Sequence, residues 1–132
     1  MTNPSLRVLI IDSEREFGEN LSAMLRLAGH QALHVSEVVA GWVILRAMAF
    51  DVVITDLDTI GVEKLCAITV DMPSVALVGM SANADGATRA KAEKLGIRDF
   101  LLKPIASSVL NDLIQLHWQV QRLRRVSDQS MN

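Results

Sequence analysis

The sequence lacks most of what would mark a secreted, membrane or nucleic-acid-binding protein. It holds a single cysteine, Cys66, so no disulfide framework can form within the chain and a reducing, cytoplasmic setting is expected. No signal peptide is read at its start. The longest apolar stretch, Val38 to Phe50, is too short to cross a bilayer and is broken by Arg46. A dominant charge is missing too: 13 basic residues against 15 acidic ones leave a net charge of -2. So balanced a chain gives no general attraction to membranes or nucleic acids, and any partner must be recognised locally. His30, His34 and His117 have no carboxylate or cysteine at ligand spacing, so a histidine metal site is not expected.

What is present is apolar and ordered. The chain has 132 residues, and half of them are hydrophobic, which is enough for one full core but hardly for two. A single domain over 1–125 with a polar tail over 126–132 is expected. Its centre is Asp51-Val52-Val53-Ile54-Thr55-Asp56-Leu57-Asp58, an apolar run that reads as a buried strand delivering Asp56 to a surface. Leu6 to Ile11 is a similar run that stops at Asp12. Gln31 to Val35, Val75 to Met80 and Asp99 to Leu102 complete five strands.

Helical spacing fills the intervals. Ser13-Glu14-Arg15-Glu16 has the form of a capping box, followed by Phe17, Leu21, Met24, Leu25 and Ala28, with Gly29 as the stop. Ser36 is placed to cap a second helix, whose broad buried face is expected to hold Val39, Val43 and Ala47 with neighbouring Trp42 and Leu45. Val62 to Val70 gives only a short third helix before Met72-Pro73, and Ala84 to Leu95 gives an alanine-rich fourth. A closing helix from about Ser107 to Arg125 repeats Val109, Leu113, Leu116, Val120 and Leu123, of which the first two should pack on the sheet. Met24, Met48 and Met80 read as core filler. Five alternations imply an α/β fold, a parallel sheet with helices on both faces. In such a sheet ligands gather beyond the carboxyl ends of the strands. That rim would collect Asp12, Asp56, Ser81 and Lys103, a set suited to a phosphoryl group and a metal.

These anchors, Ile11-Asp12, Thr55-Asp56, Ser81-Ala82 and Asp99-Phe100-Leu101-Leu102-Lys103-Pro104, resemble in order and setting the receiver domain of bacterial two-component response regulators, over roughly residues 5–120. The resemblance implies a flavodoxin-like (βα)5 fold, five parallel strands in the order 2-1-3-4-5 flanked by five helices. By it Asp56 is the phosphoacceptor, served by a histidine kinase or phosphotransfer protein. Lys103 stabilises the transferred group, and Mg²⁺ is held by Asp12, Asp56 and the backbone carbonyl of Asp58. Ser81 and Phe100 form a switch that changes the surface of helix 4, strand 5 and helix 5 for an output domain or downstream protein. The Lys103-Pro104 bond is often cis in the family. Homodimers through that surface, or through the closing helix, are the assemblies this picture leaves open. It is a signalling module rather than an enzyme with a separate substrate.

Three features depart from the family pattern. Ser13 stands where a second acidic metal ligand is usual. One charge pair at about 4 Å is worth about 4 kcal/mol at an effective dielectric of about 20, so weak Mg²⁺ binding is expected. Ser13 reads better as the helix cap. Asp58 adds a carboxylate beside the acceptor, which either restores the lost metal charge or repels a phosphoryl donor. The interval from Asp56 to Ser81 is several residues short, and the deficit falls in the third helix. A pseudo-receiver, keeping the fold as an interaction module that works without phosphorylation, is therefore the alternative function.

Overall fold

Short apolar runs ending in polar residues form the strands. The computed structural model, which describes residues 5–58, 62–72, 74–83, 86–97 and 99–130, sets five of them side by side. Strands β1 (Arg7–Ile11), β2 (Gln31–Val35), β3 (Val52–Asp56), β4 (Ala76–Ser81) and β5 (Asp99–Leu102) make one sheet in the order 2-1-3-4-5. Every neighbouring pair is parallel. Helices α1 (Arg15–Leu27), α2 (Val38–Ala47), α3 (Cys66–Asp71) and α4 (Gly86–Lys94) lie between successive strands, and α5 (Ser107–Ser130) follows the last. A 3-10 turn, Val62–Leu65, leads into the short α3.

A parallel sheet exposes neither face, so alternate strand residues must feed two separate cores. Val8, Ile10, Val52, Ile54, Val78 and Met80 pack with Leu21 and Leu25 of α1 and with Leu110 and Ile114 of α5. Leu9, Ile11, Val53 and Leu77 face the other way, against Leu45 of α2, Ile68 of α3 and Ala92 of α4. Strand β3 lies between β1 and β4 and is buried at every position. A Cβ on Gly79 of β4 would stand 2.6 Å from Leu57 Cδ1. The glycine thus leaves room for the residue next to Asp56.

Several local expectations are corrected. Helix α1 has Glu14, not Ser13, at its N-cap, and Glu14 makes no side-chain cap bond. Asp12 Oδ1 accepts the Glu14 N–H at 2.8 Å, a charge-assisted bond to the amide at the helix start. Ser36 does not cap α2, whose N-cap is Glu37 without a side-chain bond. Trp42 and Leu45 of α2 face the core as expected, with Val38 and Gly41, whereas Val39, Val43 and Ala47 are exposed. In α5 the inward stripe is Leu110, Leu113, Ile114, His117 and Trp118, and Val109 is exposed. That helix runs on to Ser130, so residues 126–130, read as a polar tail, are helical. Met80 is buried and Met24 packs against a core, but Met48 is exposed.

Candidate functional site

Because all five strands are parallel, their carboxyl ends share one rim, and the sheet ladder continues one residue beyond the strands there. The Asp12 N–H donates to the Val35 carbonyl at 3.1 Å, the Leu57 N–H to Met80 at 2.8 Å and the Lys103 N–H to Ser81 at 2.9 Å. The backbone that carries the polar side chains is therefore pinned.

Lys103 joins the ends of the chain at this rim. Its Nζ donates to Asp12 Oδ2 at 2.8 Å and stands 3.3 Å from Asp56 Oδ1. The ring of Phe17 lies 4.4 Å away, close enough for a cation–π contact. Side-chain exposure is only 12% for Lys103, 1% for Asp12 and 3% for Asp56, so these charges interact largely out of water. Burial works against the ammonium, but the hydrogen bond to Asp12 and the nearby Asp56 carboxylate outweigh it and hold Lys103 above its ordinary pKa. The Lys103-Pro104 peptide bond is cis.

His34 was not singled out by sequence as part of this rim. Its Nε2 donates to the Asp12 carbonyl at 2.9 Å, and its Nδ1 lies 3.2 Å from Glu19 Oε1. A Cβ on Gly18 would collide with the imidazole, so the glycine lets α1 close over the ring. Only the strand register, which pairs His34 with Ile10, could have hinted at this.

Asp58 and Ser81 form a second group at the end of β4. Ser81 Oγ donates to Asp58 Oδ1 at 2.6 Å, and the Ala82 N–H donates to Asp58 Oδ2 at 2.8 Å. The Asp58 carboxylate is thus bound to the β4 loop, which neither sequence alternative anticipated. Phe100 is half-buried beneath the Arg89 guanidinium, 5.0 Å from its ring centre. It lines a cavity with Leu57, Ser81, Asn83, Thr88 and Arg89. Among the described residues no three His, Cys, Asp or Glu side chains are grouped to hold a metal ion. Asp12 and Asp56 converge on one point, and Ser13 is exposed. Two carboxylates, with water and a phosphoryl oxygen, suffice for Mg²⁺, which retains much of its hydration. The donor set fits that ion, though with one charge fewer than a three-acid pocket.

The chain is similar in sequence and fold to known proteins. The chain is 30% identical over 114 residues to the response regulator protein FleR of Pseudomonas aeruginosa, covering 84% of this chain and 24% of that protein. It is 25% identical to the two-component response regulator-like protein APRR9 of Arabidopsis thaliana, covering 90% of this chain and 27% of that one. It therefore spans about a quarter of the length of these relatives. A response regulator receiver domain protein from Clostridium thermocellum superposes with a TM-score of 0.80 at 26% identity, covering 89% of this chain and 98% of that structure. The family model of the response regulator receiver domain matches residues 8–115, and with its strand order and rim as described the chain belongs to that family.

Proposed function

We propose that this receiver domain is a phosphoryl switch, accepting one phosphoryl group on Asp56 from a histidine kinase or phosphotransfer protein. The observation that carries the reading is the Lys103 ammonium held between two nearly buried carboxylates, 2.8 Å from Asp12 and 3.3 Å from Asp56. A carboxylate oxygen of Asp56 forms the new P–O bond as the bond from phosphorus to the donor's imidazole nitrogen breaks, that nitrogen keeping the electron pair. Lys103 already lies beside the acceptor and neutralises charge that develops on the phosphoryl oxygens. Asp12 keeps the ammonium in place and, with Asp56 and the Asp58 carbonyl, would hold Mg²⁺. That ion supplies further charge neutralisation when bound. Ser13 adds no charge to this set, so weak metal binding is expected.

Ser81 and Phe100 are the proposed switch. The hydroxyl moves to a phosphoryl oxygen, and Phe100 leaves Arg89 for the cavity beside it. The surface of α4, β5 and α5 then changes for an output domain or downstream protein. The setting is cytoplasmic; among the described residues no helix is long and apolar enough to cross a membrane. Each chain takes one phosphoryl group, so turnover on a separate substrate is no part of this reading. Incubation with acetyl phosphate and Mg²⁺ should add one phosphoryl group to the intact mass, with none on Asp56→Asn. An unchanged wild-type mass over a broad Mg²⁺ range, with a histidine-kinase donor failing as well, would refute it.

A second reading has an observation in its favour. Ser81 is already bonded to Asp58 at 2.6 Å, which would suit a pseudo-receiver whose conformation is fixed without phosphorylation and which works by protein contacts alone.

A further inference from the structure

A serine hydroxyl has one proton to give, and in Ser81 that proton points to Asp58. The Oγ to Oδ1 distance is 2.6 Å, against 3.2 Å to the other acceptor within reach, the Asn83 carbonyl. The same Oγ accepts the Asn83 N–H at 3.0 Å, so its one proton and one of its two lone pairs are engaged. Asp58 uses its second oxygen on the Ala82 N–H at 2.8 Å. Two donors on one short loop thus grip two oxygens of one anion, as they would grip two oxygens of a phosphoryl group.

We infer that the Asp58 carboxylate is a resident rival of the phosphoryl group: it fills the anion seat made by Ser81 Oγ and Ala82 N, and it must leave before Ser81 can bind a phosphorylated Asp56. The inference rests on Asp56 being the acceptor and deepens that reading. Asp58 is a positioning residue, acting on the reaction through Ser81. Because it is exposed, it has water to turn to when displaced. Phosphorylation then exchanges one anion for another at Ser81 rather than creating a contact, so the bias on the switch is the difference between the two bonds. Ser81 also sits in an anion-bound arrangement before any phosphoryl group arrives.

The test uses the full chain as wild type, Asp58→Ala, Ser81→Ala and the double variant, labelled with acetyl phosphate and Mg²⁺. Asp58→Ala should label about ten-fold faster, the worth of one charge-assisted hydrogen bond. That gain should vanish in the Ser81→Ala background. A wild type that takes the label only from a histidine-kinase donor while Asp58→Ala takes it from acetyl phosphate is the same result carried to its limit. Equal or slower labelling of Asp58→Ala would overturn the inference, as would an undiminished gain without Ser81, which would mean simple charge repulsion. A second measurement needs no phosphorylation: in ¹H–¹⁵N spectra Asp58→Ala should move the Ala82 and Asn83 amide resonances. An Ala82 amide that stays put defeats the inference alone, whereas failure of every variant to label defeats the acceptor reading.

Discussion

A buried polar side chain is bound to the charge state that its neighbours require, and His30 is a case where this reaches stability. Its Nδ1 accepts the Leu6 N–H at 3.1 Å, which demands a neutral ring, and burial lowers its pKa from the ordinary 6.5. With the folded pKa below the unfolded one, the contribution is whole above about pH 6.5 and fades as pH falls towards the folded value. Urea midpoints measured from pH 7 to pH 5 should therefore decline more steeply for wild type than for His30→Asn; parallel slopes would remove His30 as the cause. Asp12, Asp56, Ser81 and Lys103 were legible in the sequence because each follows an apolar run, and a parallel sheet sends such residues to one rim. The aim of a side chain was not. Whether Asp58 turns to a metal or to the donors of the β4 loop depends on rival partners a single bond rotation apart.

Helices were legible in place and length more than in rotation. In α2 the buried stripe passes through Gly41, whose added Cβ would stand 2.8 Å from Ile11 Cδ1. In α5 it passes through His117, whose Nε2 lies 3.3 Å from an Asp99 carboxylate oxygen. Neither residue is apolar, so hydrophobic spacing found Trp42, Leu45 and Leu113 on the inner faces but set Val39, Val43, Ala47 and Val109 beside them, where they are exposed. The misplacement exposes something useful: Val109, Leu116, Val120 and Leu123 remain more than a third exposed along α5, with Leu102 on the strand before it. We propose that a second copy of the chain covers this stripe, since α5 runs on for 24 residues and repeats at steps that suit a helix pair. Light scattering at high concentration should give a dimer for wild type and a monomer for Leu116→Glu/Leu123→Glu. Equal masses for the two would leave α5 to other partners.

At the scale of the whole molecule the parallel sheet followed from the alternation of runs, and its order 2-1-3-4-5 from the resemblance to the receiver family. The shortening of α3 was legible as well, from the interval between Asp56 and Ser81. A ligand that binds only the folded chain adds stability in proportion to the logarithm of its concentration over Kd. With two carboxylates for Mg²⁺, thermal midpoints should rise by about 2 °C only at concentrations of order 10 mM, and Asp12→Asn should abolish the rise. Saturation well below 1 mM would contradict the weak pocket argued from Ser13.

The bond between Lys103 and Asp12 joins residues 91 positions apart. During synthesis the ribosome releases Asp12 and Asp56 long before Lys103 clears the exit tunnel. If Asp56 is the acceptor proposed above, a half-made chain carries it without the neighbouring ammonium, and response to a phosphoryl donor waits for the last strand.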